Sequence, residues 1–537
     1  MGDALPSARR DRRPVDVCLI RSPTVTSIGA VGQDAVPPLG LGYIAGSLLQ
    51  AGHRVSAIDG VGDAVHQYSR VPWHPHALMH GLRLDEIVER IDPRTEVVGI
   101  ACMFSVEWLI VKRLAEAIVR ALPHVLIVLG GEHVTACPEY VLDACPAVAV
   151  GVLGEGEETI LDLVEAFAGG HDFAEVKGIV FRRDGRVVRT GPRRRIRAID
   201  DIPRPAWSLF PVETYIDNAL THGANLGRCM PILASRGCPY QCTFCSSPQM
   251  WTTLWLARKP ELVLAEMKEY MARYGVTNFD FYDLTAIVKK EWILEFGTLL
   301  LREDLRITWQ LPSGTRSEAI DDEVAQLLYR SGCRIINYAP ESGSPAELKR
   351  IKKKVDPARM IRSMRGAHRA GLQIKANFIF GFPDSSWRDV FKTFGFFARI
   401  AWVGVEDIGA FPFSPYPGSE LFTRLKDRGR LRMDEEYFAS LLAYTDPQHS
   451  VSYADFIGSR ALSFLNVFAM LFFYSLSFLV RPQRLIKLAT AWLGHDSSTK
   501  LTMALANRRR KHLAMRLAKE RGVETVVIPP TYRPRQV

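Results

Sequence analysis

Cysteine is scarce in this chain, nine in 537 residues, which is too few for a disulfide scaffold. Net charge is nearly absent from most of the length. Between Arg481 and Val537, thirteen Lys and Arg face three acidic residues and account for the whole formal charge of +10. The body before them is neutral, which argues against the charged channel of a nucleic-acid enzyme and predicts no nucleic-acid partner. At the N-terminus, MGDALPSARRDRRP has no apolar run behind its arginines, so no export leader is expected and a cytoplasmic location is. Pro6 stands where a myristoylation signal needs Ser or Thr. Repeats and low-complexity tracts are missing too. With 47% apolar and 23% charged residues, disorder and a polytopic membrane protein are excluded for the bulk of the chain.

What is present is alternation. Val15–Ile20, His53–Ile58, Glu96–Cys102, Val125–Leu129 and Ala147–Val152 read as strands, with helices over Leu39–Ala51, Glu107–Leu122 and up to Phe167. This predicts an α/β fold with a doubly wound parallel sheet over 14–170, whose ligands bind at the carboxyl ends of the strands. Gly178–Thr190, with Asp184-Gly185 at its centre, predicts a hairpin, and Pro203 and Pro205 mark a linker within 171–225. Strands at 231–235, 277–282, 306–311, 333–338, 373–380 and 404–411 then predict a partial (β/α)6 barrel over 226–425. The last part, 426–537, reads as helical.

Three of the nine cysteines sit in ASRGCPYQCTFCSSP, as Cys238-x3-Cys242-x2-Cys245, just after the first barrel strand. Three thiolates there can hold three irons of a [4Fe–4S] cluster and leave the fourth open to a chelating ligand. The competing reading is a zinc knuckle. Zinc needs a fourth ligand at short range, and Cys229 is the only nearby candidate.

This spacing, with Phe244 before the last cysteine, resembles the signature of the radical S-adenosylmethionine superfamily. The resemblance implies that the open iron binds S-adenosylmethionine, whose one-electron cleavage gives a 5′-deoxyadenosyl radical. It also implies an electron donor such as flavodoxin or ferredoxin. Asp283 ends the strand NFDFYD and Glu341 follows a strand in NYAPESGS. Acidic residues at such places contact the cofactor in relatives, so both are candidates; Arg316, Gly381-Phe382-Pro383 and Tyr416-Pro417-Gly418 resemble family positions as well.

The first domain resembles a cobalamin-binding domain through Pro37–Leu41, Ala51–Val55, LGGEHVT (129–135) and GEGEET (154–159). Gly130, Gly131, Gly154 and Gly156 are the expected cofactor-binding turns. Such domains carry Ser-x-Leu, about 26 residues, then Gly-Gly; the spacing from Met103 to Gly130 matches, but Ala101 replaces the serine and Ser105 is the substitute hydroxyl. No Asp-x-His-x-x-Gly occurs, so a histidine below cobalt is not expected. Together the two domains resemble the cobalamin-dependent radical enzymes that include anaerobic Mg-protoporphyrin monomethyl ester cyclase and lipid methylases. The resemblance implies methylation of an unactivated carbon. A cyclase or rearrangement enzyme of the same architecture, or a membrane-associated cobalamin sensor, are the alternatives.

Ala461–Val480 is twenty residues without a charge, the length of a membrane span. A span would put the cluster domain and the basic tail on opposite sides, so a packed or in-plane helix is favoured. Ser463, Asn466, Met470, Tyr474 and Ser477 recur at helical steps and give one face a softer polarity. With the basic helix around Asn507–Arg521, this predicts a hydrophobic small-molecule substrate and peripheral contact with the inner face of a membrane.

Overall fold

The computed structural model describes residues 13–528, apart from 31–34, 72, 317–318, 445, 447–448 and 487–499, with the backbone alone for 500–506. The N-terminal segment read for leaders, and the tail stretches 487–499 and 529–537, therefore lie outside the described residues.

Short, almost wholly buried apolar runs such as VVGIA and LIVLG can only be interior parallel strands. Arg54–Asp59, Asp16–Arg21, Val97–Ala101, Leu126–Gly130 and Val150–Val152 lie side by side in that order, all parallel. The order reverses beside Asp16–Arg21, which places the ligand crevice of a doubly wound sheet at the carboxyl ends of Asp16–Arg21 and Val97–Ala101. The predicted hairpin forms, with positive φ at Asp184 (49°) and Gly185 (75°) as a tight primed turn requires. Its first strand pairs with Val150–Val152, so it extends the first sheet to seven strands.

The second sheet has six parallel strands in sequence order, Cys229–Ile232, Asn278–Phe281, Thr308–Thr315, Cys333–Glu341, Gln373–Phe380 and Asp407–Pro412. The two outer strands do not pair with each other, so the barrel is open. Its Asp407–Pro412 edge is covered by the helix Ser459–Val480, whose Leu462, Leu465, Asn466, Ala469, Phe473 and Ser477 are buried. Covering satisfies an edge that would otherwise invite pairing with another chain. The softer polar positions of this helix thus face inward: Ser463 accepts from the Ser450 amide, Asn466 Nδ2 donates to Ser450 Oγ at 3.2 Å, and the Tyr474 hydroxyl donates to Asp407.

A four-stranded antiparallel sheet has no counterpart in the sequence reading. It joins Thr24–Ser27, Ala77–His80 and Gln67–Arg70 to Thr525–Val527 from the far end of the chain. The helix Lys500–Arg521 packs on it through Ala514 and Ala518. Lys511 is fully buried and donates to Thr26 Oγ1 at 2.9 Å, while Arg510 donates to His66 Nδ1 at 2.5 Å. Two charges of this helix are thus structural, because a buried ammonium must be held by acceptors, while Arg509, Arg516, Lys519 and Arg521 stay exposed.

Candidate functional site between the two sheets

The loop bearing the three cysteines is braced at its base. Ser235-Arg236 pairs antiparallel with Leu256-Ala257. Gly237 (φ +92°) sits where a Cβ would lie 2.1 Å from the Leu254 carbonyl oxygen, so no other residue fits the turn. Asp283, at the end of its strand, is buried and accepts from the Ala234 amide at 3.2 Å and from the Ser235 hydroxyl. Burial raises its carboxyl to about pH 6 while those donors pull the other way. Its contacts thus go to the base of the cysteine loop, which it helps to position.

Cys238, Cys242 and Cys245 are partly exposed, as is Cys137 of the first domain, whereas Cys18, Cys102, Cys145, Cys229 and Cys333 are buried. Cys229 begins its strand, at the opposite end from the loop, and its sulfur accepts from Thr221 (3.2 Å) and Asn278 (3.1 Å). It is not a fourth ligand to the loop. Among the described residues no three His, Cys, Asp or Glu converge on the volume of one ion. Three loop cysteines without Cys229 suit a cluster with one open iron better than a closed four-ligand zinc site.

Two cations lie near Cys242. Lys353 Nζ donates to Glu341 Oε1 at 2.8 Å and lies 6.0 Å from the centre of the Phe244 ring. Arg316 stacks over Tyr240 at 3.7 Å. Burial raises the Cys242 thiol, and Lys353 and Arg316 oppose that rise. A thiolate, and a cluster bound by thiolates, gains from such charges. Phe244 packs against Phe382 of the Gly-Phe-Pro turn at 5.6 Å. Glu341 is buried at φ 63°, just past a bulge in its strand. Strain of about 1–3 kcal/mol at a non-glycine residue marks a place where function overrides propensity. Lys353 follows no motif and was not legible in the sequence.

At the crevice of the first sheet, a Cβ on Gly130 or Gly154 would meet nothing nearer than 3.9 Å, so both turns leave room for a ligand. Gly156 sits 2.9 Å, by the same measure, from the Ile44 side chain. Gly131 (φ +122°) is different: a Cβ there would strike the Cys102 carbonyl oxygen at 2.4 Å. It is required by the fold, whatever it does for a ligand. The Ser105 hydroxyl is buried and paired at 2.9 Å with His133 Nδ1, itself enclosed by Trp108 and Phe438 and driven neutral by burial. Met103 and Phe104 are exposed at the end of the Val97–Ala101 strand, 61% in the case of Phe104. Arg21 holds the Tyr215 hydroxyl at 2.5 Å beside buried Asp59, and Glu107 nearby is pushed up to about 7 by burial. The open turns and the exposed apolar pair fit a large, flat, partly apolar cofactor such as a corrin.

The two sites meet. Arg236, within the cysteine motif, donates to Glu155 (3.2 Å) and Glu157 (2.6 Å) of the GEGEET turn, and Arg195 donates to Glu155 at 2.6 Å. All four side chains are at least nine-tenths buried. The helix Glu132–Ala136, directly after Gly131, packs on Ser247–Trp251, directly after Cys245; Ser246 donates to Glu132 and Thr135 to Met250.

Known proteins share this arrangement. Residues 25–164 match the B12 binding domain and residues 232–397 the radical SAM superfamily. An uncharacterized methyltransferase of Pyrococcus horikoshii is 30% identical over 411 residues, covering 76% of this chain and 82% of that protein. The chain belongs to the cobalamin-dependent radical S-adenosylmethionine enzymes. The anaerobic magnesium-protoporphyrin IX monomethyl ester cyclase of Synechocystis is 27% identical over 436 residues, 80% of this chain and 81% of the relative. The solved radical S-adenosylmethionine methyltransferase TsrM from Kitasatospora setae superposes with a TM-score of 0.58 at 17% identity, over 78% of this chain and 75% of that one. As a member of this family, the enzyme uses cobalamin, a [4Fe–4S] cluster and S-adenosylmethionine, takes a small-molecule substrate and needs a reductant. Arg236, Glu155, Glu157 and Lys353 are the site residues that sequence reasoning missed. The adjacency of Arg236 to Cys238, and of both glutamates to Gly154 and Gly156, was the available signal.

Proposed function

We propose that this enzyme methylates an unactivated carbon of a hydrophobic small molecule held between the two sheets, with electrons from a flavodoxin or ferredoxin. The observation that carries the reading is the buried Arg236–Glu155–Glu157 junction, which ties the cysteine loop to the glycine turn. When bound, the cluster and S-adenosylmethionine supply the radical and cobalamin carries the methyl group. The chain's own residues do the positioning. Cys238, Cys242 and Cys245 would hold three irons, and Phe244 would wall the cluster against Phe382. Glu341, neutralised by Lys353 in this state, would accept the cofactor's methionine ammonium. Gly130, Gly154 and Gly156 would line the cobalamin site, with the Ser105 hydroxyl, held by His133, nearby. The first domain would run from 14 through the hairpin at Arg189, the barrel from 226 to 425, and the remainder would cover the edge and the small sheet.

The apolar character of the substrate is supported by the exposed outer face of Ser459–Val480, which favours a membrane-borne molecule. A second reading, cyclisation without methyl transfer, is favoured by the resemblance to the Synechocystis cyclase. Products separate the two. S-adenosylhomocysteine formed together with 5′-deoxyadenosine means methylation, and 5′-deoxyadenosine alone means cyclisation.

A further inference from the structure

The helix Ser459–Val480 turns its polar positions inward, which leaves Phe464 (70% exposed), Phe468, Leu471 and Leu479 (79%) on the outside. Only 28% of its most apolar window is buried. The neighbouring helix Trp387–Val403 does the same: Trp387, Phe391 (70%) and Trp402 (73%) lie at helical spacing on its exposed side. The two faces are continuous, because Phe394 packs on both Phe468 (5.6 Å) and Phe472 (4.9 Å), and Trp387 packs on Phe456 just before the second helix. A single covered core helix would not explain a second, independent row of exposed tryptophan and phenylalanine. Soluble proteins rarely leave an apolar surface of this kind contiguous.

The exposed charge on the two helices has one sign, and the flanking Asp384 and Asp455 are each paired with an arginine. Arg388, Lys392, Arg399 and Arg460 are exposed on these helices, and the one acidic residue of either helix, Asp389, is buried and engaged by Arg350. Arg481 and Arg484 turn inward instead: Arg481 donates to the Ala401 and Trp402 carbonyls at the end of Trp387–Val403, and Arg484 to those of Gly404 and Val405 just past it, locking the two helices together. Aromatic and aliphatic side chains between basic ones are what an anionic bilayer surface accepts: the rings enter the headgroup boundary and the cations pair with phosphate.

We propose that the joint outer face of Trp387–Val403 and Ser459–Val480 is a docking surface for anionic lipid. This rests on, and sharpens, the reading of a membrane-borne substrate. Both helices begin at the carboxyl-end rim of the barrel, after Phe380 and beside Gly381, whose Cβ position touches Leu462. Docking on this flank sets the mouth at the bilayer edge and carries no span across it. The Lys500–Arg521 helix, which packs on the small sheet through Ala514 and Ala518, is not part of this face.

The test is flotation of the full chain with phosphatidylcholine vesicles with and without phosphatidylglycerol, at low and high salt. The wild type is expected to float with phosphatidylglycerol and to lose binding as salt rises. The double variant Trp402→Ser/Phe464→Ser should bind about tenfold less or weaker still. Arg388→Gln/Lys392→Gln/Arg399→Gln should lose about fivefold per charge on anionic vesicles only. These side chains are exposed, so thermal unfolding and vesicle-free formation of 5′-deoxyadenosine should match the wild type. Wild-type binding that the double variant retains overturns this face while leaving a membrane location standing. No wild-type flotation under any condition overturns both. A wild-type dimer that the double variant abolishes, without lipid binding, assigns the face to a second copy and overturns the proposal as well. None of these outcomes touches the methylation reading, which is scored by products in solution.

Discussion

Replacing Arg236 with Met should be among the most damaging changes that leave every cofactor ligand in place. The guanidinium bridges Glu155 and Glu157 across the junction of the two sheets, with 6% of its side chain exposed and 3% and 10% of its partners'. Solvent screening is therefore slight. Removing one partner of a buried pair costs about 3–5 kcal/mol, because the charge left behind is uncompensated. Glu155 keeps Arg195 at 2.6 Å, so Glu157 is the main orphan and the lower end of the range applies, about 3 kcal/mol. For a unit of domain size this shifts Tm by about 6–12 °C. Unfolding of so large a chain is not two-state, so the assay is the first thermal transition of the metal-free protein. Adding Glu157→Gln to the variant should restore part of the loss, since a neutral amide is cheaper to bury than a lone carboxylate. After reconstitution, the loosened junction should also shift products from S-adenosylhomocysteine towards 5′-deoxyadenosine. A shift below about 2 °C with an unchanged product ratio would refute the idea that this network couples the two sites.

Changing Cys238, Cys242 and Cys245 together to Ala should abolish the cluster's absorbance and all turnover products while cobalamin binding persists; about four irons retained per chain would contradict this. Gly130→Leu should fold normally and lose cobalamin, because its Cβ has open space, whereas Gly131→Leu should fail to fold, since its Cβ would collide with the Cys102 carbonyl. Circular dichroism with a cobalamin-binding titration separates the two. Glu107 has a folded pKa of about 7 against an ordinary 4.5, so the folded state holds the extra proton between those values. Stability should then fall as pH rises through that window, and Glu107→Gln should flatten the fall; parallel Tm–pH curves for both proteins would dismiss it. EPR of the reduced cobalt should show no nitrogen superhyperfine splitting, as the missing Asp-x-His-x-x-Gly motif implies.

Both sheets were legible because each depends on local signals: buried apolar runs, Asp184-Gly185, and strands at regular spacing. The hairpin's partner was not, since pairing with Val150–Val152 is a long-range choice that no local pattern encodes. The same holds for Thr525–Val527, which crosses most of the chain to reach Gln67–Arg70. At the site, the cysteines and glycines announce themselves by spacing, while Arg236, Glu155 and Lys353 look like ordinary surface charge until folding buries them. The polar steps in Ser459–Val480 were seen, but a sequence gives only the stripe and not the direction it faces. Packing on Asp407–Pro412 turned that stripe inward. Gly131 stands out by its spacing, but the demand of the adjacent Cys102 carbonyl on it is visible only in the fold.

The most direct test of the whole account needs no knowledge of the substrate. The anaerobically reconstituted enzyme, loaded with cobalamin and cluster, is reduced and given S-adenosylmethionine alone, and S-adenosylhomocysteine is counted against bound cobalamin. A burst of S-adenosylhomocysteine equal to the cobalamin content is expected, absent from Gly130→Leu. Formation of 5′-deoxyadenosine with no such burst, in protein that holds its cobalamin, would contradict methyl transfer and leave the cyclase reading in its place.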